Sequence, residues 1–155
     1  MSTNYDVLLE QAEAITADEP DLIANLSNLS ALVYHHLADV NWVGFYLVRA
    51  PELLVLGPFQ GKVACLRIPF SRGVCGAAAR TRQTQLVYDV HEFSDHIACD
   101  AASNSELVVP IVVAGKVVAV FDLDSPSVGR FSQVDADGLS RLGRYIEQLN
   151  WQQLC

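Results

Sequence analysis

Four thiols stand out in this chain of 155 residues: Cys65, Cys75, Cys99 and Cys155. A thiolate is a nucleophile and a metal ligand, and two thiols can close a disulfide. Which chemistry applies depends on what ionises each one. Cys75 lies in Gly-Val-Cys-Gly-Ala-Ala-Ala, at the predicted start of a helix, where the helix dipole favours a thiolate. Cys65 sits on a predicted strand, with Arg67 two residues on and hence on the same face. Cys99 lies in His-Ile-Ala-Cys-Asp-Ala-Ala-Ser, with His96 placed to assist ionisation and Asp100 to oppose it. Local electrostatics alone ranks Cys75 first as a nucleophile. The plainer reading of any single cysteine is a small buried hydrophobe, and Cys155 at the chain end reads as incidental.

A metal reading competes. His91, His96 and Cys99 cluster in sequence, and Cys65 or Cys75 could complete a tetrahedral zinc set. No tight pair of the Cys-x-x-Cys kind is present, so no bound metal is expected.

The acids are placed oddly. Val117 to Asp124 reads Val-Val-Ala-Val-Phe-Asp-Leu-Asp. Asp122 and Asp124 end an apolar strand on one face, because strand side chains alternate. Glu106 begins the preceding apolar strand. A three-residue hairpin loop, Val113-Ala114-Gly115 with Gly115 in the left-handed position, places Glu106 opposite Asp122. A two-residue Ala114-Gly115 loop would send Glu106 to the other face unless the strand bulges. Three carboxylates on one face repel, and such a set persists where a cation is bound or a proton is shared. A substrate ammonium is one such cation.

These groups need elements to hold them. Tyr5–Ile15 has helical composition. After Pro20, a residue suited to a first helical turn, Leu22, Leu26, Leu29, Val33 and Leu37 form one apolar helix face. Strands are predicted at Trp42–Val48, Leu53–Leu56, Val63–Ile68, Gln85–Val87, Leu107–Val113 and Val117–Leu123. A short helix is predicted at Gly73–Arg80. A closing helix is predicted at Phe131–Gln153, with Ser132 as N-cap. Helices, then strands mostly in succession, then a helix predict an α+β fold with an antiparallel sheet of about six strands. The long segment from Tyr88 to Glu106 reads as a functional loop.

Composition narrows the partners. Half of the residues are hydrophobic (51%), which fits one compact domain over 1–155. The net charge of −8 disfavours nucleic acid and anionic lipid surfaces. The N-terminal ten residues carry Asp6 and Glu10 and do not read as a signal peptide. No apolar run is long enough to span a bilayer. The expected location is cytoplasmic, where thiols stay reduced and cysteines tend to be catalytic, metal-binding or inert.

Five segments carry a family likeness: Asn41–Leu47, Leu56–Gly61, Arg72–Gly76, His96–Glu106 and Phe121–Pro126. Together, and with the intervals between Cys65, Cys75 and Cys99, they resemble the GAF-fold free methionine-(R)-sulfoxide reductases. The resemblance implies a GAF-like sheet and an oxidoreductase that reduces free methionine (R)-sulfoxide. It implies Cys99 as nucleophile, Cys65 as resolving thiol and Cys75 as a third thiol able to act in relay. Glu106, Asp122 and Asp124 match the acids lining the substrate pocket, and Trp42 and Tyr46 match its aromatic side. It further implies an intramolecular disulfide recycled by thioredoxin, no bound cofactor, and a homodimer paired through helices. Ser71, Phe121 and Leu123 depart from the residues common in the family, at positions away from that chemistry. The competing expectation is a GAF sensor module that binds a small molecule without turnover.

Overall fold

The computed structural model describes residues 3–94 and 102–154. Helices α1 (Tyr5–Thr16) and α2 (Leu22–His36) precede strands β1 (Trp42–Ala50), β2 (Leu53–Gly61) and β3 (Arg67–Pro69). Helix α3 (Gly73–Thr81), strands β4 (Gln85–Val87), β5 (Ser105–Val113) and β6 (Lys116–Ser125), and helix α4 (Gln133–Ile146) complete the chain. Short 3₁₀ turns occupy Val90–Glu92 and Trp151–Leu154. The six strands form one sheet in the order β3-β2-β1-β6-β5-β4, and every neighbouring pair is antiparallel. This is the α+β architecture expected from the order of elements.

The sheet has two working faces, written into β1 by alternation. Val43, Phe45 and Leu47 point to one side and join the core made with α1, α2 and α4. Trp42 and Tyr46 point to the other side, where Ile68, Val74, Ala78, Val90 and Val120 surround them. The first face is mainly apolar and closes under three helices. Phe45 stacks on its register partner Phe121 with ring centroids 4.6 Å apart, and both are fully buried.

Helix boundaries follow capping chemistry. The α2 N-cap is Asp21, whose carboxylate accepts from the Ala24 N–H at 2.8 Å. Pro20 therefore stands outside the helix rather than in its first turn. Ser132 caps α4, as expected, and the structure adds a capping box with Asp135. α4 stops at Ile146 rather than running to Gln153. There, the Glu147 carboxylate turns to accept from the Val112 N–H at 2.8 Å, and the Trp151 indole N–H donates to the Ile146 carbonyl at 2.8 Å.

The β5–β6 hairpin departs from expectation. Its loop has two residues: Val113 pairs with Lys116, while Ala114 (φ 51°) and Gly115 (φ 77°) both take left-handed backbone. That is the geometry of a tight hairpin turn with two positive φ angles. The register then shifts, with Val112 facing Val117 and Ile111 facing Ala119. The extra residue, Val118, is a bulge on β6. Glu106 consequently lies opposite Asp124, not opposite Asp122. The bulge cancels the one-residue slip of the shorter loop, so Glu106, Asp122 and Asp124 still share a face. The predicted strand Val63–Ile68 is also corrected: only Arg67–Pro69 pairs.

Phe121→Ala should remove about 3–5 kcal/mol of stability, because the stacked, fully buried ring leaves a cavity. For a chain of this size calorimetry should show a melting temperature lower by roughly 6–20 °C. Val63→Ala, at a position 87% exposed, should move it by no more than a degree or two, since exposed substitutions stay within about 0.5 kcal/mol.

Candidate active site

The second face of the sheet carries the polar groups. Across β1 and β6, Trp42 faces Asp124, Gly44 faces Asp122 and Tyr46 faces Val120. Across β5 and β6, Glu106 faces Asp124 and Val108 faces Asp122. Side chains two apart on a strand share a face, so acids and aromatics line one patch. Helix α3 lies over it and brings in Cys75, its third residue. The Cys75 thiol donates towards Glu106 Oε2 at 3.9 Å. Ligand atoms of Cys75, Glu106 and Asp122 lie within 4.8 Å of one another, and all three residues are buried.

An aromatic wall stands beside the acids. The Trp42 indole stacks between Phe59 (centroids 5.2 Å, 15°) and Tyr46 (5.9 Å, 23°). Its N–H donates to the Lys62 carbonyl at 3.1 Å, and the Tyr46 hydroxyl donates to the Cys65 carbonyl at 3.0 Å. Both bonds tie the segment after β2 to the wall. Gly44 and Gly61 make room for the indole: a Cβ on Gly44 would meet Phe59 Cβ at 2.3 Å and Trp42 Cη2 at 2.8 Å, and one on Gly61 would meet Trp42 Cδ1 at 2.5 Å. The sequence reading missed Gly44, Gly61 and Phe59. A glycine inside an apolar strand was the available signal, since it marks a close approach.

Electrostatics in this patch is set by burial. Loss of solvent pushes the Glu106 carboxyl well above its ordinary range, and the charges of Asp122 and Asp124 push it further. Burial also raises Asp122, but hydrogen bonds from Glu106 and Cys75 hold it back. Glu106 is thus the member of the pair that keeps a proton, and Asp122 the one that accepts it. The Cys75 thiol is pushed up by burial first and then by Asp122, Glu106 and Asp124. This reverses the expectation from its place at a helix start: the dipole is outweighed by lost solvent and neighbouring acids. Tyr46 is raised for the same reasons.

Some buried acceptors lack donors. Asp122 Oδ1, Ser103 Oγ and Asn41 Oδ1 have no hydrogen-bond partner among the described residues. Asn41 and the Ser103–Asn104 segment flank one end of β6, through the Asn41 N–H to the Asp124 carbonyl and the Asn104 N–H to the Ser125 carbonyl. An unmet buried polar atom costs about 1–3 kcal/mol, which a bound polar ligand can recover.

The remaining sequence candidates fall as follows. Cys65 lies in the segment between β2 and β3, not on a strand, and it is disulfide-bonded. Among the described residues Cys75 is the free thiol. Cys99, with His96 and Asp100, and the terminal Cys155 lie outside the described residues. His91 is exposed and its Nε2 lies 2.9 Å from Asn104 Oδ1.

The chain is similar to known proteins over most of its length. The GAF domain family matches residues 23–149. The chain is 50% identical over 145 residues to the free methionine-R-sulfoxide reductase of Escherichia coli, covering 94% of this chain and 87% of that protein. It is 43% identical over 156 residues to the Saccharomyces cerevisiae protein of the same name, covering 94% of this chain and 87% of that one. Its fold superposes with a TM-score of 0.93 on the X-ray structure of free methionine-R-sulfoxide reductase from Neisseria meningitidis in complex with its substrate, at 41% identity, covering 100% of this chain and 96% of that one. This chain therefore belongs to the free methionine-R-sulfoxide reductase family, built on the GAF domain.

Proposed function

We propose that the protein reduces free L-methionine (R)-sulfoxide to methionine, using its own thiols as the first electron source. The observation that carries this reading is the acidic patch of buried Glu106 and Asp122 with half-buried Asp124, beside the stacked ring of Trp42. In a chain half identical to a named free methionine-R-sulfoxide reductase, that patch suits a zwitterion. The carboxylates take the ammonium group, and Trp42 and Tyr46 enclose the sulfur end. A methionine within a peptide lacks the ammonium and would leave those acids unmet.

In the proposed cycle the Cys99 thiolate attacks the sulfoxide sulfur, and a protonated carboxyl gives its proton to the oxygen. Oxygen passes to the enzyme, methionine leaves, and Cys99 becomes a sulfenic acid. The Cys65 thiol then attacks that sulfur, water departs, and a Cys65–Cys99 disulfide remains. A thioredoxin dithiol reduces it by exchange and is itself oxidised to a disulfide. Glu106 is the proposed proton donor, because it is buried against two other acids and hydrogen-bonded to Asp122. Oxide is a poor leaving group, so this proton matters. The disulfide state of Cys65 and the free state of Cys75 support Cys65 as the resolving thiol and leave Cys75 a relay role. This reading places the enzyme in the cytoplasm with thioredoxin. Among the described residues no helix is long and apolar enough to cross a membrane. A sensor that binds without turnover would have no use for a redox-active Cys65.

Three outcomes test the reading. With thioredoxin, thioredoxin reductase and NADPH, the wild type should consume NADPH on addition of free methionine (R)-sulfoxide, and Cys99→Ser should fall to background. No turnover by wild type would leave the sensor reading. Cys65→Ser should release about one methionine per chain in a single burst and then stop, because the sulfenic acid has no partner. Glu106→Gln should lower kcat by roughly a hundredfold or more, the contribution of a positioned general acid. An unchanged kcat would move the proton donor elsewhere.

A further inference from the structure

Cys75, Glu106 and Asp122 are more than an ammonium site needs. Their ligand atoms lie within 4.8 Å of one another in a buried cluster, and one of them is sulfur. Asp122 Oδ1 is buried without a hydrogen-bond partner among the described residues, so the cluster holds an acceptor in surplus. Asp124 adds a further carboxylate opposite Glu106. We propose that Cys75, Glu106 and Asp122 form a binding site for a divalent transition metal of the zinc type, filled when no substrate occupies the pocket.

The geometry is close to what such an ion requires. Zinc bonds of about 2.3 Å to sulfur and about 2.0 Å to a carboxylate oxygen, at a tetrahedral angle, put the two ligand atoms about 3.5 Å apart. Cys75 Sγ and Glu106 Oε2 are 3.9 Å apart. Rotamer adjustments of a few tenths of an ångström bring them to the metal. Binding breaks the Cys75 S–H bond and forms a metal–thiolate bond. That proton, and the one held between Glu106 and Asp122, go to solvent. The positive end of α3, whose third residue is Cys75, helps hold the thiolate. A sulfur donor and three protein ligands with one position open fit Zn²⁺ or Co²⁺, not Mg²⁺ or Ca²⁺, which take oxygen ligands in larger number. Metal and substrate ammonium would occupy the same acids, so each excludes the other. The metal site itself does not rest on the proposed turnover.

Cobalt is the probe, because a thiolate bound to Co²⁺ gives a charge-transfer band in the near ultraviolet. The test uses protein with Cys65 in its disulfide and Cys155→Ser as background, titrated with Co²⁺ alone. One Co²⁺ per chain should bind with that band, Zn²⁺ should displace it, and Mg²⁺ should not. Adding Cys75→Ser should abolish the band and weaken binding by at least roughly tenfold, the least that loss of a supporting group costs a metal site. Glu106→Gln keeps the thiol, so it should keep the band and bind more weakly. No bound Co²⁺, bound Co²⁺ without the band, or a band that survives Cys75→Ser would each overturn the site. Should Cys75→Ser fail to fold, Glu106→Gln decides alone: undiminished affinity overturns it.

Discussion

Taking a carboxylate out of water costs several kcal/mol unless a proton or a cation meets it. Glu106 and Asp122 are 7% and 4% exposed and lie beside Asp124 and the Cys75 thiol. Everything else on this side of the molecule answers to that constraint. Glu106 keeps its proton and lends it to Asp122 as a hydrogen bond. Cys75 stays a thiol although it begins a helix. The cluster thus concentrates acidic groups where little solvent meets them, a condition that a bound cation would relieve.

Buried acids of this kind do not stabilise the fold, so apolar packing must, and the larger cluster lies on the other face of the sheet. Phe45, Phe121, Leu107, Leu123 and Ile111 there are fully buried under three helices. The division is made residue by residue along β1, where odd positions from Val43 serve the core and even positions from Trp42 serve the pocket. The pocket face is closed by the short helix α3 and by the segment after β2. That segment is tied down through the Lys62 and Cys65 carbonyls. One of those ties, from Tyr46, joins the aromatic wall directly to the residue that carries the disulfide.

Much of this could be read before the fold was seen. Alternation along 42–47 and 117–124 and the helical stripe of Leu22, Leu26, Leu29 and Val33 are strong periodic signals, and the elements formed where they point. The shared face of Asp122 and Asp124 was legible from parity, whereas that of Glu106 hung on the loop length and is set by the bulge at Val118. What sequence could not convey was burial. Cys75 reads as an activated thiol from its neighbours in the chain, but the acids that oppose it arrive from β5 and β6, about 30 and 47 residues away. The pairing of Glu106 with Asp124 also escaped, because Ala114 adopts a left-handed backbone that alanine rarely takes. Cys65 was assigned to a strand that ends up two residues too short to hold it.

The bulge at Val118 has a consequence for how such a chain can change over generations. Substitutions along β6 are judged by size and polarity, one position at a time. A single-residue insertion or deletion between Ile111 and Ala119 is judged by parity instead. It would carry Asp122 and Asp124 to the helix-covered side and Phe121 to the pocket side at once. Length changes here are admissible only in compensating pairs, one in the turn and one in the strand. The two-residue turn together with the bulge is one such pair: the shorter loop and the extra strand residue cancel in register.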